Sequence, residues 1–180
     1  MLNDDRLSLR PPRFTEEELK FFLDIRNDAE IAHQLINRAS PNTEAGIKDW
    51  LESKCNDPSI GYLFVIEAII GGHGDAPSGY ITYDIDDQIS RVASLGICLA
   101  KSSRRTGQGL RSIRLLMNYL QNSLAVRKFI FKALASNSAS RNLFSKLGFR
   151  EIGILEKHFL SHKEFHDVII GELVVGNLDP

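Results

Sequence analysis

Between Leu95 and Leu120, LGICLAKSSRRTGQGLRSIRLLMNYL, the apolar residues change their spacing, and few folds satisfy both halves at once. Leu95, Ile97 and Leu99 alternate with period 2, as on a strand, whereas Leu110, Ile113, Leu116, Met117 and Leu120 recur as on one face of a helix. The change falls on Arg104–Gly109, so the segment predicts strand, basic turn, helix. Gly107 and Gly109 let successive backbone N–H groups point inward, and the start of a helix adds unpaired donors and a positive dipole end. Such a turn accepts phosphate oxygens, with Arg104 and Arg105 supplying charge-assisted bonds and no Cβ at the glycines to hold a pyrophosphate off the backbone. Taken alone it has two readings: a diphosphate cradle, or a glycine pair that opens a helix beside a solvated basic turn. The spacing is neither that of a Walker loop nor that of a Rossmann turn.

With 180 residues, 43% of them hydrophobic, the chain suits one domain with a sizeable core, spanning residues 1–180. A net charge of −1 gives no global field for nucleic acid or membrane, which makes the basic cluster at 101–114 a local feature. Cys55 and Cys98 belong to no Cys-x-x-Cys pair, so neither a zinc site nor a disulfide framework is indicated, and they read as buried thiols in a reducing compartment. No run approaches the roughly 18 apolar residues that a membrane span requires, and the expected location is the cytoplasm.

Arg6 to Arg10 alternates around Leu7 and Leu9 and predicts a first strand that ends before Pro11-Pro12. Thr15-Glu16-Glu17-Glu18 reads as a capping box with Thr15 as N-cap, opening a helix to about Arg26. A weaker helical stretch carries Ile31, Leu35 and Ile36, and a third helix starts after Pro41-Asn42-Thr43 around Ile47, Trp50 and Leu51. Tyr62 to Ile70 and Gly79 to Ile85 predict a hairpin across a glycine-rich turn that holds a solvated His73, and Ile89 to Leu99 is the next strand. Arg127 to Ala135, apolar on alternate faces, predicts a central strand buried on both sides. Asn137 caps a short helix that stops at Gly148, and Phe149 to Leu155 and Val168 to Val175 are two terminal strands.

Arg104-x-x-Gly107-x-Gly109 resembles the pyrophosphate-binding Gln/Arg-x-x-Gly-x-Gly/Ala signature of the GCN5-related N-acetyltransferases (GNAT). Downstream, Asn137-x-x-Ser140-x-x-Leu143-Phe144-x-Lys146-Leu147-Gly148-Phe149 resembles the cofactor-side helix and following strand of the same family. The resemblance covers essentially the whole chain. It implies an α/β fold with a mixed, mainly antiparallel sheet of about seven strands and helices on both faces. It also implies direct acetyl transfer from acetyl-CoA, without a metal, to a primary amine. On the cofactor side the implied residues are Ile97, Leu99, Arg104, Arg105, Thr106, Gly107, Gln108, Gly109, Leu110, Asn137, Ser140, Phe144 and Lys146. Arg26 and Asn27, at the end of the helical pair that walls the acceptor pocket in this family, are implied substrate contacts.

For the acid that protonates the leaving thiolate, many members use a tyrosine at the position of Phe144, which has no proton to give. The branch related to the ribosomal-protein alanine N-acetyltransferases, RimJ and RimL, uses the serine of Asn-x-x-Ser, here Ser140. That branch's glutamate base corresponds to Phe159, which argues against a peptide amine. Gly153-x-Leu155-x-x-x-Phe159-x-Ser161-x-Lys163-Glu164-Phe165-x-Asp167-Val168, together with Arg26-Asn27, looks like the sugar-nucleotide N-acetyltransferases of pseudaminic acid biosynthesis. The implied acceptor is then the amine of a nucleotide-linked amino sugar. His158, Glu156 and Glu164 are candidates for a water-relayed base. Neighbouring His166 and Asp167 point to opposite faces of a strand and form no dyad. The alternatives are a protein N-terminal or antibiotic acetyltransferase and, in another class, a non-catalytic acyl-CoA-binding module; a homodimer is left open.

Overall fold

A computed structural model describes residues 1–36, 42–70, 73–161 and 163–176, with the backbone alone at 69–70 and 73–75. It holds one eight-stranded sheet of order β1-β2-β3-β4-β5-β6-β8-β7. The strands are β1 (Leu2–Asn3), β2 (Leu7–Arg10), β3 (Gly61–Ile70), β4 (His73–Asp87), β5 (Val92–Leu99), β6 (Lys128–Leu134), β7 (Arg150–Ser161) and β8 (Glu164–Val174). Every neighbouring pair is antiparallel except β5 and β6, which run parallel. The helices are α1 (Glu16–Asn27), α2 (Ala29–Ala32), α3 (Glu44–Lys54), α4 (Gln108–Leu124) and α5 (Ser138–Ser145).

Period-2 alternation divides the core between the two faces. In β3, Leu63 and Val65 pack with α1 and α3 through Leu19, Phe22, Ile25, Ile47 and Leu51. Phe64 and Ile66 point the other way, towards Ile113, Leu116, Met117 and Leu120 of α4. Two helical layers on opposite faces therefore follow from residues that differ by one position along a strand. On β6, Phe129, Phe131 and Ala133 are buried on the α4 side, while on the other face Leu134 is buried, Ile130 is half-buried and Lys132 is exposed. The expectation that β6 is buried on both sides holds fully for one face and only at Leu134 for the other, where helices α1–α3 pack over β3, β4 and β5 instead.

Other boundaries shift for local reasons. The strand expected from Ile89 begins at Val92, because Asp87 accepts hydrogen bonds from Ser90 N and Oγ at 2.8 Å and closes a turn that leaves Ile89 95% exposed. The terminal strands are longer than expected and form a hairpin to Ser161 and Glu164 with register shifts after Glu151 and Leu155. The second helix is one turn, capped by Asp28 on Ile31 N, and Leu35 and Ile36 lie beyond it. The side chain of His73 is outside the described residues.

Candidate active site

β5 and β6 pair only from Val92 to Leu95 and from Lys128 to Phe131. Past that point Gly96–Leu99 has no strand partner on the β6 side among the described residues, although it stays paired with β4 as far as Gly79. The sheet is thus split at one end, with unpaired backbone on both lips. α4, the crossover between these two parallel strands, starts after the turn that follows Leu99.

The turn that leaves Leu99 passes through a short 3-10 turn at Lys101–Ser103 and then two left-handed residues, Arg105 (φ 62°) and Gly107 (φ 86°). Gly107 is the N-cap of α4 and offers no side chain to its first turn. The first amide of this stretch to find a backbone acceptor is that of Arg111, on Gly107 O at 3.2 Å. Among the described residues the six amides of Arg105 to Leu110 meet no acceptor. Six free donors in succession at the positive end of a 17-residue helix make an anion cradle, and they fit a diphosphate. The exposed Arg105 guanidinium and a buried, unpartnered Gln108 side-chain oxygen stand in the same turn. Ile97 and Leu110, both half-buried, flank it.

The two glycines do different work. A Cβ on Gly107 would meet nothing within 4 Å, so this residue supplies the left-handed backbone and an open surface. A Cβ on Gly109 would lie 3.2 Å from Leu143 and 3.4 Å from Leu99. Its absence lets the start of α4 close on β5 and α5, instead of clearing room for a ligand as expected from the sequence. That contact joins the two sequence motifs. Thr106 holds the turn by donating to Ser103 O at 2.7 Å.

Arg104 is not turned into the cradle. Its Nε donates to Leu99 O at 3.3 Å and its Nη1 pairs with Glu30 at 3.2 Å, while Lys101 pairs with Asp28 and Glu30 at 3.0 Å. The Lys101 ammonium bonded to Asp28 holds that carboxyl below its ordinary value. α2 is therefore tied to the cofactor turn, and the residues just beyond it are tied to the N-cap of α5, since Asn137 Nδ2 donates to Gln34 O at 3.2 Å. Sequence reading missed Asp28, Glu30 and Lys101 because ion pairs across 70 residues leave no periodic signal.

Asn137 caps α5 by accepting from Ser140 N at 3.0 Å. The half-buried Ser140 hydroxyl has no hydrogen-bond partner among the described residues. Phe144 lies within the core, 2% exposed, stacked on Phe131 at 4.2 Å and edge-on to Phe149 at 5.0 Å. Its ring has little surface left for a ligand. Lys146 is exposed at the far end of α5, about 13 Å along the helix from Asn137. Glu156 and His158 are exposed in the β7 irregularity, where Lys157 N donates to Asp167 Oδ1 at 2.7 Å. No contact joins either of them to Ser140. The hairpin is nevertheless at the split end, since Ala135 N donates to Asp167 O at 2.9 Å.

On the α1 face, Tyr80 of β4 sits opposite Cys98 of β5 and packs with Phe22 and Trp50 at ring separations of 5.5 Å. Burial raises the Tyr80 phenol well above its usual range and pushes the Cys98 thiol up to about 11, so both stay neutral at pH 7. Arg26 lies over Trp50, 4.2 Å from its ring centroid. Asn27 is committed to Asn42 through its Oδ1, which accepts from Asn42 N at 2.8 Å, and its Nδ2, which donates to Asn42 O at 3.0 Å. Tyr80 and Trp50 were legible only as apolar core.

A cleft of about 720 Å³ lies over Arg10, Glu18, Glu67 and Pro77. Its floor is a buried ion cluster in which Arg10 bridges Glu18 and Glu67.

A family model described as an acetyltransferase (GNAT) domain matches residues 6–150. Among solved structures, the spermidine N-acetyltransferase of Vibrio cholerae, in complex with CoA and spermine, superposes with a TM-score of 0.81 at 19% identity, over 95% of this chain and 96% of that one. A microcin self-immunity acetyltransferase, MccE, in complex with acetyl-CoA and AMP, gives 0.82 at 19% over 96% and 94%. RimL, a ribosomal alpha-N-protein acetyltransferase in complex with coenzyme A, gives 0.82 at 17% over 96% of each chain. At these identities the likeness is one of fold.

Proposed function

Since this chain belongs to the GNAT acetyltransferase family, we propose that it transfers acetyl directly from acetyl-CoA to a primary amine, and that the acceptor is the amino group of a nucleotide-linked amino sugar. The single observation that carries the donor half is the run of six free amides from Arg105 to Leu110 beside the split between β5 and β6. The amides and Arg105 would hold the diphosphate. The unpaired backbone of Gly96–Leu99 would then lie along the pantetheine and offer N–H donors to the carbonyl oxygen as it gains charge. Ser140, with an uncommitted hydroxyl at the start of α5, would give its proton to the departing thiolate. Glu156 or His158, exposed on the hairpin at the same end, would take the ammonium proton through water. The amino-sugar acceptor is supported by the resemblance of Gly153 to Val168 and of Arg26-Asn27, not by a contact. The relatives named above carry acceptors of several kinds in their own names.

The location we propose for the reaction is the cytoplasm, in keeping with the free thiols of Cys55 and Cys98. Among the described residues no helix is long and apolar enough to cross a membrane. The test is thermal stabilisation by CoA followed by thiol release from acetyl-CoA with an amine panel. Release with the amino-sugar nucleotide supports the proposal. Release with peptides alone moves the acceptor to protein N-termini, and stabilisation without release leaves a CoA-binding module. Ser140→Ala should lower turnover at least about tenfold with CoA affinity unchanged; unaltered turnover removes Ser140 as the acid.

A further inference from the structure

The acceptor side holds a guanidinium that no acid answers. Arg26, in the last turn of α1, is half-buried and stacked on Trp50; its Nη1 donates to Tyr80 Oη and its Nε to Asn42 Oδ1, each at 3.4 Å. All three neighbours are neutral and both hydrogen bonds are long. Among the described residues no carboxylate pairs with it, and the adjoining segment 37–41, NRASP, contains no acidic residue. The contrast with the cofactor turn is sharp, since Lys101 and Arg104 are each matched by Asp28 or Glu30. A guanidinium carries five N–H donors, and here two are used. A planar cation fixed by a ring on one face, with donors to spare, is suited to bidentate binding of an oxyanion.

Its position connects it to the reaction. Tyr80, which Arg26 touches, is the cross-strand partner of Cys98, and Cys98 belongs to the Gly96–Leu99 stretch at the split. The Cys98 thiol lies within electrostatic reach of both Arg104 and Arg26, so the acceptor-side and cofactor-side guanidiniums share one neighbour.

We propose that Arg26 selects the acceptor by binding a carboxylate or phosphate that the acceptor carries close to its amine. This rests on the acetyl-transfer reading and narrows it to anionic amines. A polyamine brought to the same place would meet a fixed positive charge with which, among the described residues, no carboxylate pairs. The anion has two sources: the carboxylate of an amino acid, or the phosphate of a nucleotide-linked amino sugar.

Matched acceptors test this on the wild-type protein without any substitution: an amino acid against its amide, and a nucleoside-diphosphate amino sugar against the free amino sugar. In the pair that is turned over, the anionic member should have the higher kcat/KM by roughly 10- to 100-fold, the span expected for hydrogen bonds to a charged group. The pair that responds identifies the source. Arg26→Gln should collapse the ratio chiefly through KM, and Arg26→Lys should restore part of it, because the charge returns without the fork. Equal use of charged and neutral members, faster turnover of spermidine than of any anionic amine, or an equal loss for all acceptors in Arg26→Gln overturns the proposal. CoA should still stabilise both variants. If CoA fails to stabilise the wild type, the acetyltransferase reading falls, and the Arg26 proposal with it.

Discussion

Arg10 shows what a single residue can hide from sequence reading. It appears as the last residue of a short strand, yet it is 3% exposed and joins two carboxylates that are also buried. Its Nε donates to Glu67 Oε1 at 2.6 Å, and its Nη1 lies 2.7 Å from Glu18 Oε1. Glu18 in turn accepts from Phe14 N at 3.0 Å. The N-cap half of the expected capping box is present, with Thr15 Oγ1 accepting from Glu18 N at 3.3 Å, but the glutamate has left it for Arg10 and the backbone of Arg13 and Phe14. Local spacing gave the cap correctly and could not give the partner, which is set by which strands lie side by side. Removing the cation strands two buried carboxylates, so Arg10→Ala should cost about 3–5 kcal/mol in urea unfolding. A loss below about 1 kcal/mol would show the cluster to be solvated.

Elements were the most legible level, because each rests on a period or a cap. Leu95 to Leu120 gives strand, turn and helix as read, and Asn137 and Gly148 bound the α5 segment as read, with Gly148 at φ 90°. What escaped were features set across strands. β1 pairs only with β2 and is two residues long, too short for any pattern. In β8, Gly171 faces Phe131 in register, and a Cβ there would lie 2.0 Å from the ring, which itself stacks on Phe144. Gly171→Ala should therefore destabilise the fold by about 1–3 kcal/mol and disturb near-UV aromatic signals; a neutral result would mean that the ring moves freely. Also in β8, Glu172 is drawn below its ordinary carboxylate value by Lys128 at 2.6 Å and Arg150 at 2.7 Å. A lowered folded value gives stability that is present above the ordinary value of 4.5 and lost as pH falls through the lowered one. The melting temperature of the wild type should fall more steeply than that of Glu172→Gln between about pH 5 and pH 3. Parallel acid limbs would remove Glu172 from the account.

At the scale of the whole molecule, the fold class followed from the sequence through two motifs in the right order, and the run of free amides lies in the turn that the first motif marks. The surroundings of Arg26 did not follow from the sequence. Arg26, Trp50, Tyr80 and Asn42 come from three separate segments, and their meeting depends on how α1 and α3 lie across β4 and β5. Nor could spacing separate the roles of the two glycines, since only packing reveals that Gly109 faces Leu99 and Leu143 while Gly107 faces open space. That difference supplies the sharpest test of the cradle. Asparagine and aspartate both tolerate a left-handed backbone, have nearly the same shape, and would project into the open side at position 107. Calorimetric titration of CoA into Gly107→Asn and Gly107→Asp, after matched thermal melts, isolates the effect of one negative charge beside the diphosphate. The cradle predicts that the aspartate variant binds CoA at least about tenfold more weakly than the asparagine variant. Equal affinities would contradict it.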